Sequence, residues 1–304
     1  MTIVLSAVAP IFGLISLGYL LRRFILKSDS LWGRAERITY YILFPALLVS
    51  KLTLNNTTET PLASIATVVF PLIGIGTAVL FLLKTWMQFP DQEFTSIYQG
   101  GIRFNSYVGL AVAQQIFGDE GLTVAAVLIA FMIPTINVLS VLILSVYGND
   151  NKPSPAAVIS QMLRNPLILA CFFGIVLNAT EIGLPFGTDR ILIPLGKIAV
   201  VVGLLVVGSG LHLQLIIQAK RPVFSSTLFK LAFMPMVAAA LVFWSGLDGI
   251  PASMIVTFAG LPTASSAFIL ARQMGGNADL MAVIISFQTL VSTGSLPLLL
   301  LTQI

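Results

Sequence analysis

The chain has 304 residues, of which 57% are hydrophobic and only 9% charged, and its mean hydropathy is +0.98. Sixteen basic and twelve acidic side chains cannot clothe a water-soluble body of this length, so composition points to an integral membrane protein. One cysteine, Cys171, excludes a disulfide framework. One histidine, His212, leaves no ordinary metal cluster, and there is no HExxH, GxSxG or P-loop, so neither a metal, a cofactor nor an enzymatic centre is expected.

A helical span needs about 20 apolar residues, at about 1.5 Å each, to cross about 30 Å of hydrocarbon. Ten segments qualify in chain order: 2–21, 35–53, 62–84, 94–117, 120–147, 164–182, 189–213, 222–246, 251–272 and 277–302. The first has no Lys or Arg before it and is followed by Arg22 and Arg23, the reverse of a cleaved signal peptide, so it reads as a permanent span. The connections carry turn signals: "NNTTET", "QFPDQE", "FGDEG", "GNDNKPSP", "GLDGIP" and "GGNAD".

Charge orients the spans. With the N-terminus outside, Arg22, Arg23, Lys27, Arg34, Arg37, Lys84, Arg103, Lys152, Arg164, Lys220, Arg221, Lys230 and Arg272 fall on the inner side. Only Lys51, Arg190 and Lys197 fall outside. That bias is the positive-inside pattern of an inner (plasma) membrane protein with both termini on the non-cytoplasmic side. The pI of about 9.3 follows from these anchors and does not argue for nucleic-acid binding.

The chain also repeats itself. At a shift of 158 positions, "AQQIFGDEGL" (113–122) falls on "ARQMGGNADL" (271–280), with four of ten residues identical. Asn105 then meets Thr263, and Phe104 meets Pro262. At a shift of 156, "PIFGLISLG" (10–18) meets "PLILACFFG" (166–174), and Pro and Gly keep their spacing. Five spans per half is an odd number, so the second half is turned over. An inverted repeat is the mark of a secondary transporter. The expected organisation is a first five-helix repeat (1–147), a cytoplasmic linker (148–163) and a second, inverted repeat (164–304).

The stretch "AGLPTASSAFILARQMGG" (259–276) places Pro262 and three hydroxyls inside span 9. Free backbone groups at membrane depth are tolerated only where they are buried in protein or line a cavity. Span 9 is therefore expected to break at 261–263, and span 4 at its mate, 103–106, with the breaks crossing near the midplane. Each second half-helix would then start inside the membrane with a positive dipole end, a natural anion site. Asn105, Ser106, Thr263 and Ser265 are capping types that can occupy those donors when the site is empty.

At these residues the chain resembles the auxin efflux carrier family, in its bacterial branch, over all ten spans. The likeness is strongest in "IRFNSYVGLAVAQQIFGDEGLTVAAVLIAFMIPTINVLSV", in "RNPLILACFFGIVLN" and in "AGLPTASSAFILARQMGGNADLMAVIISFQTLVSTGSLPLLL". The resemblance implies an all-α membrane protein of the sodium/proton antiporter or bile-acid transporter type, with crossed broken helices 4 and 9. It implies a scaffold domain from spans 1, 2, 6 and 7, a transport domain from spans 3–5 and 8–10, an elevator-like motion and a homodimer. Family substrates are mostly organic anions. The plant members carry a proline before the span-4 asparagine, where this chain has Phe104.

The expected substrate-binding residues are Arg103, Asn105, Ser106, Pro262, Thr263, Ser265 and Ser266. Arg103 has two readings: an anchor whose guanidinium snorkels to the interface, or a direct partner of a substrate carboxylate. Gln114, Asn137, Gln273 and Gln288 are candidates for polar support. Gln114 and Gln273 near helix ends equally suit water, and Asn137 and Gln288 equally suit helix–helix hydrogen bonds. No Asp or Glu stands at mid-depth, which disfavours a carboxylate proton relay. The leading expectation is a carrier of a small organic anion, a carboxylate above all, with that anion and the lipid bilayer as its partners. The alternative is a non-transporting membrane receptor that keeps the carrier fold, against which stands the short 148–163 loop.

Overall fold

A computed structural model describes residues 2–54, 61–148, 165–218 and 220–303. The "NNTTET" turn and, apart from Gly148, the expected linker 148–163 lie outside the described residues, as does Arg164. All regular structure among the described residues is helical.

In chain order, α1 (Thr2–Leu20) runs on through a π turn, Leu21–Ile25. Helix α2 (Asp29–Ile38) joins α3 (Phe44–Leu54) through a second π turn, Thr39–Leu43. Then come α4 (Leu62–Met87), α5 (Asp91–Ile102) and α6 (Ser106–Tyr147). After the linker come α7 (Pro166–Ala179), α8 (Asp189–Ser209) and α9 (Arg221–Leu228). A third π turn, Phe229–Phe233, leads into α10 (Met234–Ser245), followed by α11 (Gly249–Ala259), α12 (Ser266–Gln273) and α13 (Ala278–Leu301).

Among the described residues, seven helical stretches are long and apolar enough to cross a membrane: Val4–Ile25, Asp29–Leu54, Leu62–Met87, Asp91–Tyr147, Asp189–Ser209, Arg221–Ser245 and Ala278–Leu301. Pro166–Ala179 and Gly249–Ala259 are shorter apolar helices. The chain is thus a multi-pass, all-helical membrane protein. Two tryptophans lie exposed near helix ends, Trp86 on α4 and Trp244 on α10, where an apolar ring with a polar N–H suits a lipid–water boundary.

Two expected spans, 94–117 and 120–147, are covered by one of those stretches, and its geometry explains how. A straight helix would hold residues 103 and 137 about 50 Å apart. The Arg103 side chain instead reaches Asn137, with Nη2 3.0 Å from Oδ1. The chain must double back between them, and it does so at Gly118, whose φ of 63° and ψ of −143° lie outside any helix. Only glycine enters that region without a Cβ penalty. The second "Gly-polar" turn also has a left-handed glycine, but it is Gly275, φ 70°, one position short of the residue that pairs with Gly118 in the sequence repeat.

Two helix starts follow directly from their side chains. Asn165 accepts from the N–H groups of Leu167 and Ile168 at 3.0 and 3.4 Å and is followed by Pro166 at the first helical position, which sets where α7 begins. Asn277 accepts from Leu280 N–H at 2.9 Å and starts α13.

The chain divides into two compact units. The first comprises Met1–Leu62, Tyr107–Phe131 and Gln161–Gly210. Its helices pack closely because glycines face backbone: a Cβ on Gly208 would collide with the Ile15 carbonyl, so α1 and α8 approach as small-residue membrane helices do. Helices α3 and α7 are joined by Asn178 Nδ2 donating to the Thr53 carbonyl at 3.1 Å. Lys51 on α3 pairs with Asp119, just beyond the Gly118 turn, at 2.5 Å.

The second unit comprises Ala63–Ser106, Met132–Ser160 and Leu211–Ile304, and it holds both helix interruptions. Its core includes Phe94, Tyr98, Phe258, Ile284 and Leu296, all essentially without exposure.

Candidate functional site

The first interruption separates α5 from α6 by three residues, Arg103 to Asn105. No proline forces it. The helix runs regularly to Ile102, and Arg103 then turns extended, with φ −70° and ψ 155°. The N–H of Asn105 leaves the helical ladder and donates to the Pro262 carbonyl at 2.8 Å. Phe104 is buried and packs on Phe258, ring centroids 5.3 Å apart. An aromatic anchor on the other broken helix thus stands where the plant carriers have proline.

The second interruption is longer, covering residues 260–265 between α11 and α12. Pro262 supplies no N–H, and its own carbonyl is taken by Asn105. The Thr263 N–H donates to Gln288 Oε1 at 3.0 Å, and Thr263 Oγ1 donates to the Gln99 carbonyl at 3.3 Å. The two broken helices are therefore bonded to each other, residue 105 to 262 and residue 263 to 99.

Gln288 on α13 braces the crossing. While its Oε1 receives Thr263, its Nε2 donates to the Gly100 carbonyl at 3.0 Å and contacts Ser226 O and Oγ at 3.3 Å each. It is wholly buried. Buried backbone groups outside a helix need partners, and this amide serves both interruptions at once.

Arg103 stands at the open edge of the arrangement. Its Nη2 donates to Asn137 Oδ1 at 3.0 Å and to Ser266 Oγ at 3.3 Å. One guanidinium thus ties the end of α5 to the returning arm of α6 and to the first residue of α12. Arg103, Asn137 and Ser265 are half-buried and Ser266 is exposed, whereas Asn105, Pro262 and Thr263 are buried. Ser106, half-buried, is the first residue of α6.

Capping differs from the sequence expectation. The Ser265 side chain makes no capping bond at the start of α12, and its Oγ is enclosed without a partner among the described residues. The Thr263 hydroxyl turns back to α5 instead. The donor that most needed a partner, Thr263 N–H, is served by a side chain from α13, which no local pattern specifies. Gln273 is exposed at the last residue of α12, away from the crossing. Gln114 is exposed and belongs to the first unit.

Two residues that the sequence did not offer as site residues belong to this neighbourhood. The Gln99 side-chain amide is wholly buried, with no partner for either end among the described residues. Lys230, counted above as an inner-side anchor, is 1% exposed. A lone polar residue in an apolar segment gives no sign of which way it faces.

A multi-helix membrane protein with two interrupted helices hydrogen-bonded at their breaks, and an arginine beside them, has the architecture of a solute carrier. The chain belongs to the family described as "Membrane transport protein", the auxin efflux carriers, whose pattern matches residues 3–300. A protein of Rhizobium meliloti (strain 1021) described as "Putative malonate transporter" is 28% identical over 301 residues, covering 95% of this chain and 92% of that protein.

Proposed function

We propose that this transporter carries a small organic anion with one or two carboxylates, malonate being the first to test. The observation that carries the reading is Arg103. Its guanidinium is held beside the starts of α6 and α12 by hydrogen bonds to two neutral acceptors, Asn137 and Ser266. Two helix N-termini each add roughly half a positive charge. A carboxylate between them would meet Arg103, Ser106, Ser265 and Ser266, with Asn105, Pro262 and Thr263 forming the rigid floor. The relative's name gives independent support for the substrate class.

The larger frame of the proposal is ten spans in two inverted five-helix repeats. Counting the Asp91–Tyr147 stretch as two crossings, on account of the Gly118 reversal, and adding the two shorter apolar helices gives that number. The proposed motion is elevator-like: a transport domain of spans 3–5 and 8–10 slides against a scaffold of spans 1, 2, 6 and 7 within a homodimer. In its favour, the hydrogen bonds that join the two interruptions and Gln288 all fall inside one compact unit.

The charge bias favours an inner membrane with both termini outside. A reporter active only in the cytoplasm, fused after Ile304, should therefore stay silent. Strong reporter activity from a correctly inserted fusion would reverse the orientation. For substrate, purified protein reconstituted in liposomes should take up labelled malonate, and unlabelled mono- and dicarboxylates should compete where they share the site. Protein that neither binds nor moves any carboxylate would sink the reading.

A further inference from the structure

Lys230 is a charged residue type with no visible reason to be where it is. It sits in the π turn Phe229–Phe233, and it is among the largest wholly buried side chains of the molecule. Among the described residues it makes no hydrogen bond and no ion pair.

Its position is specific. On one side of it, Phe229 Cδ1 lies 2.9 Å from where a Cβ on Gly101 would stand, two residues before Arg103. On the other, Pro235 Cγ lies 3.5 Å from the corresponding point on Gly260, two residues before Pro262. The segment carrying Lys230 thus runs from the end of α5 to the end of α11, past both interruptions. Two carbonyls at the end of α5 are already engaged. Gln99 O accepts from Arg103 N–H at 2.9 Å and from Thr263 Oγ1, and Gly100 O accepts from Gln288. A π turn is itself uncommon, and such bulges recur at functional sites.

The other charges do not serve it. On the elements packed against this turn, the titratable groups are Asp91, Glu93 and Tyr98 of α5, Arg221 of α9 and Asp279 of α13. The four charged ones stand on the first turns of their helices, well away along each axis. Tyr98 OH is bonded to Thr77 at 3.0 Å. Arg103, of the same sign, directs Nη2 to Asn137 and Ser266. Lys84, near the end of α4, pairs with Asp91 at 2.7 Å.

We propose that Lys230 couples anion binding to proton uptake. Resting on the carboxylate reading above, this names its coupling ion. An ammonium enclosed in protein without a counter-charge is costly, and a neutral amine is far less so. With no anion bound, the neutral amine is the less costly form. A carboxylate at the crossing supplies the missing negative charge, and the amine then takes one proton from water to become the ammonium. Its lone pair forms the new N–H bond and nothing is oxidised or reduced. Anion and proton enter together, without the acidic relay that the spans lack.

The test is calorimetric titration of malonate into the purified, full-length protein, at a pH where malonate is a dianion, in buffers of different ionisation enthalpy. The dependence of the heat on the buffer counts protons. Wild type should take up about one proton per malonate bound, by linkage. Lys230→Met, checked for a monodisperse folded species, should bind malonate at least about tenfold more weakly and take up none. Lys230→Arg, permanently charged, should bind without proton uptake. Binding by wild type whose heat is independent of buffer overturns the coupling and leaves the carboxylate site standing. Proton uptake preserved in either variant also overturns it. No binding of malonate by wild type removes the substrate reading, and this inference with it.

Discussion

Gln288→Leu should destabilise the folded protein by about 2–6 kcal/mol, because each buried group stripped of its partner costs about 1–3 kcal/mol. Two such groups are certain. Thr263 N–H loses its acceptor at 3.0 Å, and the Gly100 carbonyl loses its donor at 3.0 Å. Neither can turn to water, since Thr263 and Gly100 are buried. Neither can re-form a helical bond, since Thr263 and the end of α5 lie at the interruptions. Leucine also leaves Ser226 without its Nε2 contact. The neighbouring Thr289 is the internal control. It is as deeply enclosed, but its hydroxyl bonds only the carbonyl of Ile285 in its own helix, at 2.8 Å. Thr289→Val should therefore cost about 1 kcal/mol. Thermal unfolding of the two variants in the same detergent compares them. If both melt alike, Gln288 is not what holds the crossing together.

Arg103→Gln should weaken carboxylate binding roughly 10- to 100-fold, since a charge-assisted hydrogen bond is worth about 1.5–3 kcal/mol and about 1.4 kcal/mol is a factor of ten. Folding should suffer less than in Gln288→Leu. Glutamine keeps a donor toward Asn137 and Ser266, and Arg103 is only half-buried, so water can replace what is lost. Arg103→Lys is the sharper variant. It preserves charge but not the planar fork, so a guanidinium that clamps a carboxylate should lose most of its effect on this change. A guanidinium that merely anchors the helix should lose almost none. The measurement is malonate affinity of folded, purified variants. Wild-type affinity in both would make Arg103 an anchor, and the anion site would then rest on the helix starts at Ser106 and Ser266 alone.

Much of this protein was legible without coordinates, and the reason is physical. Membrane residence follows from composition, because water and lipid impose opposite demands on a surface and a 9% charged chain can meet only one of them. The turn at Gly118 and the break at Pro262 are local too. A glycine that takes positive φ and a proline without an N–H act on the backbone wherever they stand. The start of α7 at Asn165–Pro166 belongs to the same class.

What only the tertiary structure decided is who answers the groups that these local features leave open. Span 4 breaks with Phe104 in place of proline, because the Asn105 N–H finds the Pro262 carbonyl, a residue 157 positions away. The Thr263 N–H is satisfied by Gln288 rather than by the hydroxyls beside it. Arg103 is placed by Asn137, which reaches it only because α6 turns back on itself. Lys230 illustrates the limit most clearly. In the sequence it is one basic residue among sixteen, inside the span 222–246, and a lysine there ordinarily reaches for the interface. Whether it does depends on what packs around it. That is a property of helices distant in sequence, because a side chain's surroundings in a membrane bundle are set by neighbouring helices and not by its own segment.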